Sequence, residues 1–592
     1  MSSTVENARA TPPALLLAVL APLAPPLLAF NLPPSPTLLN QCLAVGLWGA
    51  LLIACPAHVD ARTLRDGGSL LAALGASAIA LVASMGPGML PAALGLSALA
   101  VVLCAVLVAV FGAALAARGD APALMSAFLL GILLAGVFSA GVALVQVFAP
   151  DWADGNWIAR SGMPGRAVGN LRQPNHLSSL LAWALIALMA LLELRRLHRA
   201  TVLVLLPILV FAVVLSASRT GAVDMLLLAL WGALDKRLSR RARMMLLAAP
   251  VLYLAGWGAR MLAQQWQLAA GGAELVMAHG GDISSSRFAI WSNTLALIAQ
   301  QPWLGVGFGE FNLAWSMTPF PNRPVAFFDH THNLPLQLLV EFGLPWALLT
   351  LGLLLLAVVQ AAKRSWSEST GRGVEARAAL VLVLTIGLHS QLEYPLWYAY
   401  FLLPAAFSWG YALYRAPDPR LKSNQTPFLG AMRFAGILIS AGSLLALVDY
   451  ARVVVIFAPP EGAGPLADRI ESGQHSALFA HHADYAALTT AEPAATQALA
   501  MQRAPHHLLD ARLMMAWAKA LAERGQVDRA RFVAARLREF RNPAAAEFFS
   551  VCDPGSKGAM TSAPAAPASQ LPASFQCQPP SRTYDWRELV EP

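Results

Sequence analysis

The chain has 592 residues, of which 57% are hydrophobic and 12% charged. A soluble domain carries roughly 25% charged residues, and apolar runs of about 20 residues, the length that crosses a bilayer, recur through the first 460 positions. These proportions exclude a soluble enzyme, a secreted disulfide scaffold and a β-barrel, whose strands would alternate with period two. The net charge of +8 is read as membrane topology, with no nucleic-acid partner.

The predicted fold is an all-α polytopic membrane protein with about 13 transmembrane helices. The runs lie near 13–31, 38–56, 69–90, 93–116, 123–148, 177–194, 201–217, 221–235, 244–262, 334–361, 377–391, 396–414 and 430–457. The first is read as a retained helix and not as a cleaved signal peptide. Lys and Arg concentrate in alternate loops: Arg62 and Arg65, Arg118, Arg195 to Arg199, Lys236 to Arg243, Lys363 to Arg377, and Arg415 to Lys422. By the positive-inside rule these loops and the N-terminus are cytoplasmic. Segments 149–176, 263–333 and everything after about 458 then lie outside.

Residues 459–592 are of a different kind, with 14 acidic and 13 basic side chains. From His506 to Phe549 two amphipathic helices are expected. Leu509, Leu513, Ala516, Ala520 and Leu521 recur at helical spacing, Gly525 breaks the run, and Ala530, Val533, Leu537 and Phe540 resume it. The unit is either one tetratricopeptide-style repeat or an ordinary helical hairpin. Residues 553–580, rich in Pro, Ala and Ser, read as irregular. Cys42, Cys55 and Cys104 fall in apolar spans, whereas Cys552 and Cys577 share the tail, where they either pair or remain free thiols.

Charge at membrane level costs about 3 kcal/mol per residue, so the exceptions carry information. Arg219, in Ser218-Arg219-Thr220-Gly221, falls on the disfavoured side; it either anchors the interface or holds a phosphate. Arg287 begins a segment in which Phe288, Trp291, Leu295 and Ile298 recur every three or four residues, a helix expected to lie on the membrane surface with Ser286 as its cap. Asp329-His330-Thr331-His332-Asn333 precedes the run at Leu334. Its histidines lack partners at recognised metal-ligand spacings, and a boundary histidine suits general-base chemistry better. Further polar groups stand at Arg172-Gln173-Pro174-Asn175-His176 and at His389, Gln391, Glu393 and Tyr394. Gly305-Val306-Gly307-Phe308-Gly309 lacks the Lys-Ser/Thr ending of a phosphate loop and reads as a turn.

The stretch His332-Asn333 through Gln337, Glu341, Gly343 and Pro345 resembles the signature of the O-antigen ligase and protein O-oligosaccharyltransferase superfamily, a His-Asn pair followed by a Gly-x-x-Gly turn. The last glycine of that turn is Trp346 here. Ser218 to Gly221, Arg287 to Trp291 and Gln301 to Gly307 also resemble the family core, over roughly residues 160–410. Within the superfamily, Gln173-Pro174-Asn175-His176 and His389 to Tyr398 are similar to the bacterial pilin-type protein O-oligosaccharyltransferases.

The resemblance implies a GT-C-like membrane glycosyltransferase of the bacterial inner membrane, its site and tail periplasmic. It implies en bloc transfer of a preassembled glycan from undecaprenyl diphosphate to Ser or Thr hydroxyls of exported proteins, such as a type IV pilin. His332 would then be catalytic with Arg219 and Arg287, while Arg172, Gln173, Asn175, His176, Asn333, Glu393 and Tyr394 would bind substrate. No cofactor or metal is expected in this chemistry. The organisation that follows is N-terminal spans over 1–160, a catalytic core over 161–415 that includes the 263–333 loop, a last span over 416–458 and a helical domain over 459–592. The alternatives are an O-antigen ligase acting on lipid A core and an O-antigen polymerase; a transporter or an assembly factor accounts for fewer of these residues.

Overall fold

The computed structural model describes residues 10–86, 89–266, 287–321, 323–368, 372–415, 430–490, 497–552 and 574–591. Helix makes up 74% of the described residues, with no strand among them, and the protein is a polytopic membrane protein. Each predicted apolar run contains a helix. Among the described residues seven helices are long and apolar enough to cross a membrane: Ala92–Ala116, Ala121–Phe148, Pro174–Glu193, Arg199–Ser216, Arg240–Gln265, Leu334–Ser367 and Ala431–Phe457. Shorter apolar helices span Pro12–Leu27, Leu38–Ala54 and Gly68–Ala83. The expected number of about 13 spans therefore exceeds those that meet both criteria. Length accounts for part of the difference. Arg219–Leu234 has 16 residues and carries Asp224, and Gly373–His389 has 17 and carries Glu375 and Arg377.

The chain divides into two compact units. One comprises Met1–Gly75, Val101–Gly281 and Thr350–Leu447. At its centre the Pro174–Glu193 helix packs against Ala121–Phe148, Arg199–Ser216, Arg219–Leu234 and Gly373–His389. Its most apolar window is 89% buried, so this helix is sheathed by protein on nearly every side. Small residues permit the close packing, because helices in lipid gain stability from contact and not from escaping water. A β-carbon on Gly112 would collide with the Phe407 carbonyl, and one on Gly410 with the Ala109 carbonyl. Nearby, the Phe407 ring lies 5.2 Å from Trp48 and 4.7 Å from Phe128. Arg377, read above as an orientation charge, is buried against Asp235 at 2.6 Å.

The second unit comprises Ala76–Ala100, Asp282–Leu349 and Val448–Pro592. Within it the helix that begins at Leu334 breaks at Gly343, where φ is 72° and ψ 165°. The loop before it repairs the break. Val306 N–H donates to Val340 O at 2.8 Å, Gly307 N–H to Glu341 O at 3.0 Å, and Leu344 N–H to Pro302 O at 2.7 Å. The Gly305 run is thus a turn whose backbone completes a broken helix. Trp346, in place of the family glycine, donates its indole N–H to Ala76 O at 2.9 Å. A β-carbon on Gly343 would strike the Trp303 carbonyl. Gly343→Ala is therefore expected to lose at least about 2 kcal/mol, from the left-handed backbone and from the clash, seen as a lower thermal midpoint of the detergent-solubilised protein.

The tail is helical over Leu466–Gln474, Ala480–Thr489, Gln497–Arg503, Ala511–Glu523 and Val527–Glu539. The predicted pair is present: Asp510 caps the first helix by accepting from Leu513 N–H, and Gly525 turns the chain at φ 75°. Every predicted core position is buried except Ala516, which is half-buried, and Trp517, Met514 and Phe532 join them. Cys552 and Cys577 form a disulfide. Most of the 553–580 segment read as irregular lies outside the described residues; Phe575–Cys577 forms one 3-10 turn. Tail and loop share a single core in this unit. Arg323 pairs with Glu539 at 3.2 Å and lies over the Phe540 ring at 4.6 Å. His506 pairs with Glu310 at 2.8 Å, and Leu509 N–H donates to Asn312 Oδ1 at 2.7 Å.

Candidate active site

In the first unit the polar residues around Arg219 form one hydrogen-bonded chain. Gln173 caps the Pro174–Glu193 helix by accepting from His176 N–H at 2.8 Å, and Pro174 opens that helix. Asn175, on its first turn, donates to Glu393 at 2.9 Å and accepts from Ser218 Oγ at 2.7 Å. Ser218 in turn caps the helix that starts at Arg219, accepting from Gly221 N–H at 3.2 Å. Gly221 is required where it stands, because a β-carbon there would press on Val213 and on Ser178. Asn175 and Glu393, which are 218 residues apart, thus meet beside the exposed Arg219.

Other predicted binding residues direct their polar groups into the protein. Arg172 has φ 56° and donates to Ala29 O at 2.6 Å and Pro36 O at 3.2 Å, fastening a neighbouring loop. His176 is buried among Tyr398, Phe401 and His389, with Tyr400 Oη 3.3 Å from its Nδ1. His389 Nδ1 lies 2.8 Å from Ser179 Oγ. Tyr394 stacks on Tyr398 at 6.2 Å.

Two arginines not singled out from the sequence belong to this cluster. Arg166 donates to Ser216 O at 2.8 Å, bracing the turn that presents Arg219. Burial holds its guanidinium below the ordinary arginine range, Glu393 opposes that shift, and the charge of Arg219 adds to it. Arg260 is buried, donates to Val214 O at 2.9 Å and Gly165 O at 2.8 Å, and lies within reach of the charge on Arg166. Both stand among the basic residues on the side the positive-inside rule disfavours, which was the available signal. Arg166, Arg219 and Arg260 with Glu393 leave an excess of positive charge, suited to an anion.

Arg287 and His332 belong to the second unit. A helix covers 287–300, as its periodicity predicts, with Arg287 in its first turn. Ser286, the predicted cap, lies outside the described residues. Phe288 and Leu295 are exposed, while Ile290, Thr294 and Leu297 enter the core. Trp291 donates its indole N–H to Thr331 O at 2.9 Å, which ties the Arg287 helix to the loop carrying His332.

That loop is locked on both sides of His332. Thr331 N–H donates to Gln337 at 2.8 Å, and Thr331 Oγ1 to Asn333 O at 2.8 Å. Asn333 Oδ1 accepts from Leu336 N–H at 3.0 Å, opening the helix that follows. Gln337 then donates to Glu341 at 2.8 Å, and Glu341 also accepts from Gly309 N–H at 3.0 Å. Between these bonds His332 sits at φ 53°, in the left-handed region, with its ring edge-on to Phe328 at 5.5 Å. A non-glycine residue held there costs of order 1 kcal/mol or more and is found disproportionately at active sites. Asp329 pairs with His330 at 3.0 Å. Burial would raise its carboxyl, but His330 and His332 outweigh that and bring it to about 2.

Trp291→Phe keeps the ring and removes the bond to Thr331. The expected stability loss is about 1 kcal/mol. On the expectation that His332 is catalytic, displacing its loop should also lower kcat by roughly tenfold to a hundredfold, with little change in KM for the donor, as steady-state kinetics would report.

Three families match parts of the chain: the O-antigen ligases over residues 202–351, the protein glycosylation ligases over 167–192, and the C-terminal part of a virulence factor membrane-bound polymerase over 377–549. The stretch that matches the protein glycosylation ligases contains the Gln173 to His176 cap, and the stretch that matches the O-antigen ligases contains Arg219, Arg287 and His332. Among curated relatives, a general O-oligosaccharyltransferase of Acinetobacter baylyi is 27% identical over 286 residues, 47% of this chain and 49% of that protein. A ComP-specific O-oligosaccharyltransferase of the same organism is 27% identical over 264 residues, 43% of this chain and 45% of that one. The chain matches about half the length of these relatives.

Proposed function

We propose that this protein is a membrane O-oligosaccharyltransferase that moves a preassembled glycan from undecaprenyl diphosphate to Ser or Thr hydroxyls of periplasmic proteins, pilins among them. The observation that carries the reading is His332, held in a strained conformation by its neighbours and tied through Trp291 to the helix of Arg287. The names of the curated relatives support the same chemistry.

In this reaction the acceptor hydroxyl oxygen attacks the anomeric carbon as the bond from that carbon to the diphosphate oxygen breaks. The hydroxyl proton passes to the His332 imidazole, and the electron pair of the broken bond stays with the lipid diphosphate. Negative charge grows on the leaving group, and fixed guanidinium groups in a low-dielectric site stabilise it. Arginine suits the role because its fork matches two phosphate oxygens. A single direct displacement inverts the anomeric centre. The loop charges described above support an orientation with the N-terminus cytoplasmic and with His332 and the tail periplasmic.

The test reconstitutes the full chain in liposomes with a lipid-linked oligosaccharide and a pilin-type acceptor, followed by mass spectrometry of the acceptor. Glycan on acceptor Ser or Thr supports the proposal. The match to the polymerase family over 377–549 favours a second reading, chain growth on the carrier lipid. Lengthened lipid-linked glycan with an unmodified acceptor would establish that reading instead.

A further inference from the structure

The tail contains a second histidine cluster that the transfer reaction does not use. His481 and His482 lie on the first turn of the Ala480–Thr489 helix, and His507 follows the 3-10 turn Ala504–His506. The His481 ring lies 4.2 Å from His482 and 4.1 Å from His507, and the last two are 5.1 Å apart. One nitrogen from each ring can be chosen so that all three lie within 4.8 Å of one another. His481 is buried, and its Nδ1 has no hydrogen-bond partner among the described residues. An unpaired buried nitrogen costs about 1–3 kcal/mol, and nothing else described here satisfies it.

We propose that His481, His482 and His507 bind one divalent cation of the zinc class. Three imidazoles are borderline donors that select zinc, copper, nickel or cobalt over magnesium and calcium. Donor atoms of a tetrahedral zinc site stand ~3.4 Å apart, from bonds of about 2.0–2.1 Å, so small side-chain rotations close the set. The ligands are ready in the form a metal needs. Burial, reinforced for His481 and His482 by neighbouring imidazoles, keeps all three rings neutral at pH 7, with His482 at about 3 and His507 at about 4.

The ion would fasten the Ala480–Thr489 helix to the turn that leads into the Ala511–Glu523 helix. That turn also carries the His506–Glu310 pair. The cation would therefore brace the tail where it meets the loop of the same unit, on the side of Asp329, whose charge acts on His507 and also on His332.

The test uses the full chain in detergent, purified with a tag that contains no histidine, stripped with a chelator and titrated with Zn²⁺ or Co²⁺. The expected result is one bound equivalent per chain by elemental analysis, a Co²⁺ spectrum of a low-coordinate nitrogen site and a higher thermal midpoint with Zn²⁺. The double variant His482→Ala and His507→Ala should lose the bound equivalent while circular dichroism reports unchanged helix content; His475→Ala, an exposed histidine of the tail, should keep it. X-ray absorption of the zinc-loaded wild type should show imidazole ligands at about 2.0–2.1 Å, a readout that needs no variant. A wild-type chain that binds no equivalent, an equivalent retained by the double variant, or a zinc shell with fewer than two imidazoles would overturn the proposal, and the rings would then be packing residues.

Discussion

Replacing His332 by alanine is expected to lower kcat for glycan transfer by roughly 10²–10⁴, the usual contribution of a positioned general base. The acceptor hydroxyl is a poor nucleophile, and its proton needs a group of near-neutral basicity to receive it. Bonds through Thr331, Asn333 and Gln337 hold the loop on both sides of this position, and circular dichroism with the thermal midpoint of the alanine variant checks that the protein folds. Single-turnover transfer from a lipid-linked donor to the acceptor would isolate the chemical step. A rate within threefold of wild type would remove His332 from the mechanism.

Arg219→Ala and Arg287→Ala form the second large effect. Each is expected to cost about 10²–10³ in kcat, as does the loss of one preorganised donor at a developing negative charge. The lysine variants should fall in between, because they keep the charge and lose the two-pronged geometry. Comparing donors with diphosphate and monophosphate linkages would separate recognition of the diphosphate by each arginine from general electrostatic attraction. An alanine variant that discriminates between those donors as well as wild type does would remove that arginine from diphosphate recognition.

The helical layout was largely legible in the sequence, because hydrophobic length and helical period are local properties. The 287–300 helix, the Gly525 turn and the core positions from Leu509 to Phe540 all follow from spacing. What stayed hidden depends on partners far along the chain. From Leu180 to Leu192 the Pro174–Glu193 helix is apolar on every side, and apolar residues look the same whether they face lipid or other helices. The break at Gly343 is completed by hydrogen bonds from a loop some forty residues earlier, so a single continuous apolar run concealed it. Arg172 reads as a ligand in its polar motif, yet its guanidinium goes to carbonyls near residue 30. Arg166 and Arg260 carried the same signal as Arg219, a charge on the disfavoured side, but only their meeting in space gives that signal its meaning.

The positive φ of His332 sets stability against activity at a single position. Glycine is at ease at φ 53°, whereas a side chain there is strained. The His332→Gly protein should therefore resist heat better than the His332→Ala protein by about 1 kcal/mol, although both would lack the imidazole and transfer glycan slowly. A screen that rewards thermal resistance alone would drift towards glycine at this residue and discard the enzyme, so stabilising selections on this protein need an activity readout alongside them.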